Sequence, residues 1–137
     1  MNREILFRGY TGRNWQYGYL IDKEAIRNFD QNGLPISTYR VIKETIGQYT
    51  GLTDKNGTKI FEGDVLKLKQ PKDKTEYIAK VEFGNPNGNY NWGWQLVFKE
   101  PFNLNPDILC WVEMECVGVD CEVIGNIYDN PELLKED

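Results

Sequence analysis

Two tight turns about ten residues apart, inside residues 48–69 (QYTGLTDKNGTKIFEGDVLKLK), commit the middle of this chain to a compact antiparallel β-structure. Asp54-Lys55-Asn56-Gly57 joins two short extended runs, 48–52 and 58–61. Asn and Gly accept positive φ at little steric cost, and an Asx side chain bonds its own backbone. An Asn-Gly pair between such runs is a strong hairpin signal. Glu62-Gly63-Asp64 reads as a second turn, and residues 65–69 follow as a strand. Leu66 and Leu68 stand on one face of that strand and charged side chains on the other.

Period-two alternation continues on both sides. Residues 3–10 and 15–21 read as a hairpin around the turn Thr11-Gly12-Arg13-Asn14, with Tyr17, Tyr19 and Ile21 in period two. Residues 22–29 are ambiguous: Asp22 suits a helix cap and Ile26 and Phe29 are three apart, but the segment also reads as loop. Residues 34–46 are partly extended, since Pro35 discourages helix before it. Residues 76–83 place Tyr77, Ala79, Val81 and Phe83 on one face, and residues 90–99 do the same for Trp92, Trp94, Leu96 and Phe98. That pair makes a long hairpin with its tip at 84–89. Residues 108–119 read as a strand or a short helix. Residues 121–128 form a last strand, after which Asn130, Pro131 and Glu132 mark a helix start.

The expected fold class is therefore all-β, with one or two short helices. Three segments in order, REILFRGY, QYTGLTDKNGTKIFEGDVLKL and CEVIGNIYDNPELL, span the chain from Arg3 to Leu134. Together they resemble the signature of the YopX-like phage and prophage protein family. The resemblance implies a small SH3-like barrel, homo-oligomerisation and a temperate-phage origin. It implies no established activity and carries over no functional residue. The expected organisation is one domain over 1–137, with room for an N-terminal subdomain over 1–47 and a barrel core over 48–130. At 137 residues the chain is long enough to bury a core without metal or disulfide support.

Composition narrows the chemistry. The net charge is −5, which argues against sequence-independent binding to phosphate backbones. Residues 1–10 have neither the long apolar core nor the cleavage site of a signal peptide, and no apolar run reaches the roughly 20 residues of a spanning helix. A cytoplasmic setting is expected, and the three cysteines, Cys110, Cys116 and Cys121, read as free thiols in a reducing compartment. The chain has no His, so the commonest general base and His-based triads and metal sites are missing. Cysteine spacings of six and five do not fit the close pairs of structural zinc. Glu62 and Asp64 read as turn acids bonded to nearby backbone or to solvent rather than as a metal or acid–base pair. Glu113, Glu115, Asp120 and Glu122 read as a solvated acidic face.

Hence no catalytic residue, cofactor or metal is expected. The residues singled out as an interaction surface are Tyr90, Trp92 and Trp94, whose first use is core or subunit packing. The leading expectation is a non-enzymatic homo-oligomer that contacts an unknown phage or host protein, away from any membrane. The alternative is a single-stranded nucleic-acid-binding barrel, with Trp92 and Trp94 stacking on bases and Lys67, Lys69 and Lys80 meeting phosphates.

Overall fold

The computed structural model describes residues 5–69, 74–84, 93–99, 108, 111 and 121–134. These form ten strands: β1 (Phe7–Tyr10), β2 (Trp15–Asp22), β3 (Ala25–Phe29), β4 (Pro35–Arg40), β5 (Gly47–Thr53), β6 (Lys59–Phe61), β7 (Asp64–Lys69), β8 (Glu76–Gly84), β9 (Gly93–Phe98) and β10 (Cys121–Asn126). The chain divides into two compact units, Met1–Gly51 and Leu52–Asp137. The boundary lies inside β5, four residues beyond the expected subdomain limit at residue 47. The protein is mainly β and antiparallel. Neither sheet closes on itself among the described residues.

In the N-terminal unit the strand order is β4-β3-β2-β1-β5. The β1–β2 hairpin pairs Tyr10 with Trp15 and Phe7 with Gly18, around the turn expected at Thr11 to Asn14. Strand β2 then changes partner. Its first half pairs with β1 and its second half with β3, where Tyr19 faces Arg27 and Leu20 faces Ile26. Gly18 sits at the change. A Cβ there would lie 2.1 Å from the Arg27 carbonyl oxygen, so only glycine lets β2 approach the β3 backbone this closely. Gly9 plays a similar part on the same face, where an added Cβ would meet the Val41 side chain at 2.8 Å. Ile26 and Val41 are buried on this inner side.

The ambiguous segment 22–29 is neither helix nor loop. The Asp22 carboxylate accepts the Glu24 N–H at 2.7 Å and so caps a tight turn, not a helix. Residues 25–29 pair on both edges, with β2 and with β4. Two rows of ladder hydrogen bonds outweigh an i, i+3 spacing that one short helical turn could have used.

In the C-terminal unit the strand order is β10-β7-β8-β9. Registers Leu66 to Ala79, Leu68 to Tyr77 and Val81 to Leu96 set one apolar face. Its core contains Ile60, Leu66, Leu68, Ala79, Val81, Leu96 and Cys121. Ile108 and Trp111, both helical, are buried in it, so the segment left open at 108–119 is helical where it is described. Tyr77 and Phe98 pack edge-on and tilted on Trp111, with ring centroids 5.9 and 5.3 Å away.

The two central turns form as the residues require. Gly57 and Gly63 have φ of 82° and 92°. Asp54 is buried and its Oδ1 accepts the N–H groups of Asn56 and Thr58, both at 2.9 Å. Its Oδ2 accepts the Val123 N–H of β10 at 3.0 Å. One carboxylate thus closes the turn and ties it to a strand 69 residues away.

A single 3₁₀ turn, Pro131–Leu134, stands where a short C-terminal helix is expected. Asn126 organises the approach to it, accepting the N–H groups of Tyr128 and Asp129 at 3.0 and 2.8 Å. A Cβ on Gly125 would lie 2.5 Å from Asn130 Oδ1. Because a side chain can yield where backbone cannot, Gly125→Ala is expected to cost only about 1–2 kcal/mol. Hydrogen exchange should show faster opening at Asn126 and Leu133 and unchanged protection in β8.

Candidate functional site

Of the surface singled out from the sequence, Tyr90 and Trp92 lie outside the described residues. Trp94 lies on the core-facing side of β9, half-buried against the C-terminal core. Its ring meets Phe83 edge-on at 4.9 Å, which fits packing, the first of its two expected uses. The lysines placed with it in the nucleic-acid alternative project the other way. Lys67 and Lys69 alternate with the buried Leu66 and Leu68 on β7, and Lys80 alternates with Ala79 and Val81 on β8. Strand parity therefore separates Trp94 from Lys67, Lys69 and Lys80 across the thickness of the sheet.

On that outer face Lys55, Lys67, Lys69, Glu76 and Glu122 line a groove of about 240 Å³. Lys67 bonds Glu76 at 3.0 Å and Lys55 lies 3.7 Å from Glu122. The hydrogen bond and charge of Glu76 push Lys67 above its ordinary value. Lys80 pairs with Glu82 at 2.6 Å. Lys69 has no ion-pair partner among the described residues. Most of the charge here is compensated within the face, by half-exposed pairs that contribute little stability.

The turn acids are structural where their contacts are described. Asp64 is buried and accepts the Phe61 N–H at 2.7 Å. Cys121 is a buried free thiol. Cys110, Cys116, Glu113, Glu115 and Asp120 lie outside the described residues. No helix among the described residues is long and apolar enough to cross a membrane.

A different surface emerges in the N-terminal unit. Facing residues share a side of the sheet, so Arg8 stands with Tyr17, Tyr10 with Trp15, and Tyr19 with Arg27 and Thr38. Arg40 lies on the same side of β4 as Thr38. The result is a face of aromatic rings with the Arg27 and Arg40 guanidinium groups toward β4 and the buried Arg8 at β1. The Arg8 guanidinium lies 4.8 Å from the Trp15 ring centre, within cation–π range. Tyr19 and Phe29 meet edge-on at 4.9 Å. Tyr17 and Tyr19 stay 44% and 52% exposed. With Phe29, Ile5, Leu6 and Asp30 they line an open cleft of about 590 Å³. Arg27 donates from Nε to the Thr38 hydroxyl at 2.9 Å, and Arg40 reaches Glu24 at 3.2 Å.

Two signals of this face stand in the sequence itself. Tyr17 and Tyr19 alternate with Gly18 and Leu20. All five arginines, Arg3, Arg8, Arg13, Arg27 and Arg40, fall in the first 40 residues.

Three comparisons bear on identity. A match to part of a tyrosine–tRNA ligase of Mycoplasmoides gallisepticum is 33% identical over 94 residues, covering 58% of this chain and 23% of the ligase. The chain therefore spans less than a quarter of that relative's length. The crystal structure of protein EF1440 from Enterococcus faecalis superimposes with a TM-score of 0.56, over 98% of this chain and 100% of that one, at 24% identity. At that identity the likeness concerns the fold alone. The YopX protein family model matches residues 10–135, which covers every strand from β2 to β10, and the chain accordingly belongs to the YopX family.

Proposed function

We propose that this chain is a phage- or prophage-encoded protein of the host cytoplasm that works as a homo-oligomer, by binding and not by turnover. The observation that carries the reading is where apolar side chains remain exposed. Of ten large hydrophobic side chains exposed among the described residues, eight belong to the N-terminal unit. They include Leu34, Ile36 and Ile42 in and beside β4, the strand that ends the sheet. So many exposed apolar side chains on so small a unit mark contact surfaces, and the ones assigned to self-association are Leu34, Ile36 and Ile42, in and beside an edge strand. The SH3-like barrel that the family resemblance implies belongs to the same proposal. Its support is the pair of tight turns at Asn56-Gly57 and Gly63, with φ of 82° and 92° at the two glycines, that carry the chain from β5 through β6 into β7.

Ile36 is 64% exposed, so its replacement is expected to leave the fold intact. Light scattering at micromolar concentration is expected to give a multiple of the single-chain mass. Ile36→Lys should weaken that association about tenfold or more with an unchanged circular dichroism spectrum. A wild-type monomer, or a variant that assembles as well as the wild type, would remove the reading.

A further inference from the structure

We infer that the outer face of the N-terminal sheet, centred on Tyr17, Tyr19, Phe29, Arg27 and Arg40, is a binding site for single-stranded nucleic acid. The inference does not depend on the proposed self-association, which uses the apolar side chains in and beside β4.

Charge comes first. Residues 1–51 carry seven basic and five acidic side chains, whereas residues 52–137 carry nine and sixteen. A chain of net charge −5 has thus gathered a positive balance and every arginine into one unit. Arginine offers five donors in a planar fork and stacks on flat rings, which suits phosphate and base contact better than lysine. Arg27 and Arg40 each have one described side-chain partner, a hydroxyl and a carboxylate. These surface contacts use a fraction of each guanidinium's donors.

The rings supply the second part. Tyr17 and Tyr19 project from one strand on the same side, flanking Gly18, with Phe29 against Tyr19. Side chains two apart on a strand stand roughly 6.6 Å apart, about twice the 3.4 Å rise of a stacked nucleic-acid strand. Successive bases can occupy such rings only when pulled out of their stack, which a duplex resists and a single strand permits. Stacking on an aromatic platform tolerates any base and supplies much of the affinity in single-strand binding modules. The open cleft of about 590 Å³ beside Tyr17, Tyr19 and Phe29 gives the bases room. Asp30 on its rim repels phosphate and directs the sugar–phosphate backbone toward Arg27 and Arg40.

An acidic protein segment is the competing occupant. It would use the arginines but gain little from flat rings placed for stacking. The test is fluorescence anisotropy of labelled oligo(dT) and oligo(U) of about 16 nucleotides, against a duplex of the same length, at low salt. Both single strands are expected to bind more tightly than the duplex, with affinity falling as salt rises. Tyr19→Ala should weaken binding about fivefold or more, and Tyr19→Phe, which keeps the ring, should restore it. Arg27→Gln should lower affinity and flatten the salt dependence. Tyr19 is half exposed, so the two Tyr19 variants are expected to melt like the wild type. Failure of either single strand to bind, equal binding of the duplex, or unchanged binding by both Tyr19→Ala and Arg27→Gln would overturn the assignment. Binding of an oligo-glutamate peptide that survives Tyr19→Ala would give the face to an acidic protein partner instead, and would likewise overturn it.

Discussion

Replacing Gly18 by alanine should destabilise the N-terminal unit by about 3 kcal/mol or more, a fall of about 10 °C in its melting temperature. The cause is contact, not conformation. The added methyl would sit 2.1 Å from the Arg27 carbonyl oxygen and 2.8 Å from its carbon, and both atoms belong to the β3 ladder. Backbone held by pairing on two sides cannot step aside as a side chain can. Gly12 provides the comparison. Its φ is +103°, with nothing within 4 Å of an added Cβ, so Gly12→Ala costs only local strain, about 1–2 kcal/mol. Thermal melts of both variants, with hydrogen exchange at Tyr19 and Arg27, separate the two causes. If Gly18→Ala melts no lower than Gly12→Ala, strand β2 does not approach the β3 backbone as closely as described.

The second large effect is at Asp54. Removing its carboxylate leaves three partly buried backbone N–H groups, of Asn56, Thr58 and Val123, without their acceptor. Asp54→Ala is expected to cost about 3 kcal/mol, read as a lower urea midpoint. Asp54→Asn restores little, because its amide would turn a donor toward either the Val123 N–H or the turn. Burial favours the neutral acid, but the Val123, Thr58 and Asn56 amides and the Thr58 hydroxyl outweigh it and hold the carboxyl below its ordinary 3.8. A depressed value in the folded state means that the unfolded chain binds the proton more readily. The contribution is therefore present in full above the unfolded value of about 4 and is lost as pH falls through the folded one. Urea midpoints measured from neutral pH down to about pH 3 should fall more gently with acid in Asp54→Ala than in the wild type. Equal acid slopes would show that this carboxylate carries no linked stability.

Much of this architecture is legible in the residues. Asn56-Gly57 and Gly63 announce their turns because few other residues take positive φ cheaply. Leu66 and Leu68, or Ala79 and Val81, announce their buried face because strand parity is strict. Two things were not legible, for different reasons. Strand β3 looks like a capped helical turn because Asp22 and the Ile26–Phe29 spacing serve either conformation, and only pairing with β2 and β4 decides between them. The placing of Trp94 beside Lys67, Lys69 and Lys80 fails on register. Parity within one strand is local, but the side on which a neighbouring strand puts its charges depends on pairings such as Val81 to Leu96. The N-terminal face was partly legible. Tyr17 and Tyr19 in period two and the crowding of all five arginines before residue 41 point to it. The close approach of β2 to the β3 backbone at Gly18 does not show in composition.

The most direct test of where this protein binds is amide chemical-shift mapping of the isotope-labelled full chain during titration with oligo(dT). Shifts concentrated at Tyr17, Tyr19, Arg27, Phe29 and Arg40, with the Lys55, Lys67 and Lys69 groove unchanged, are the predicted result. Shifts confined to that lysine groove or to Phe83 and Trp94, with the N-terminal sheet silent, would contradict the account.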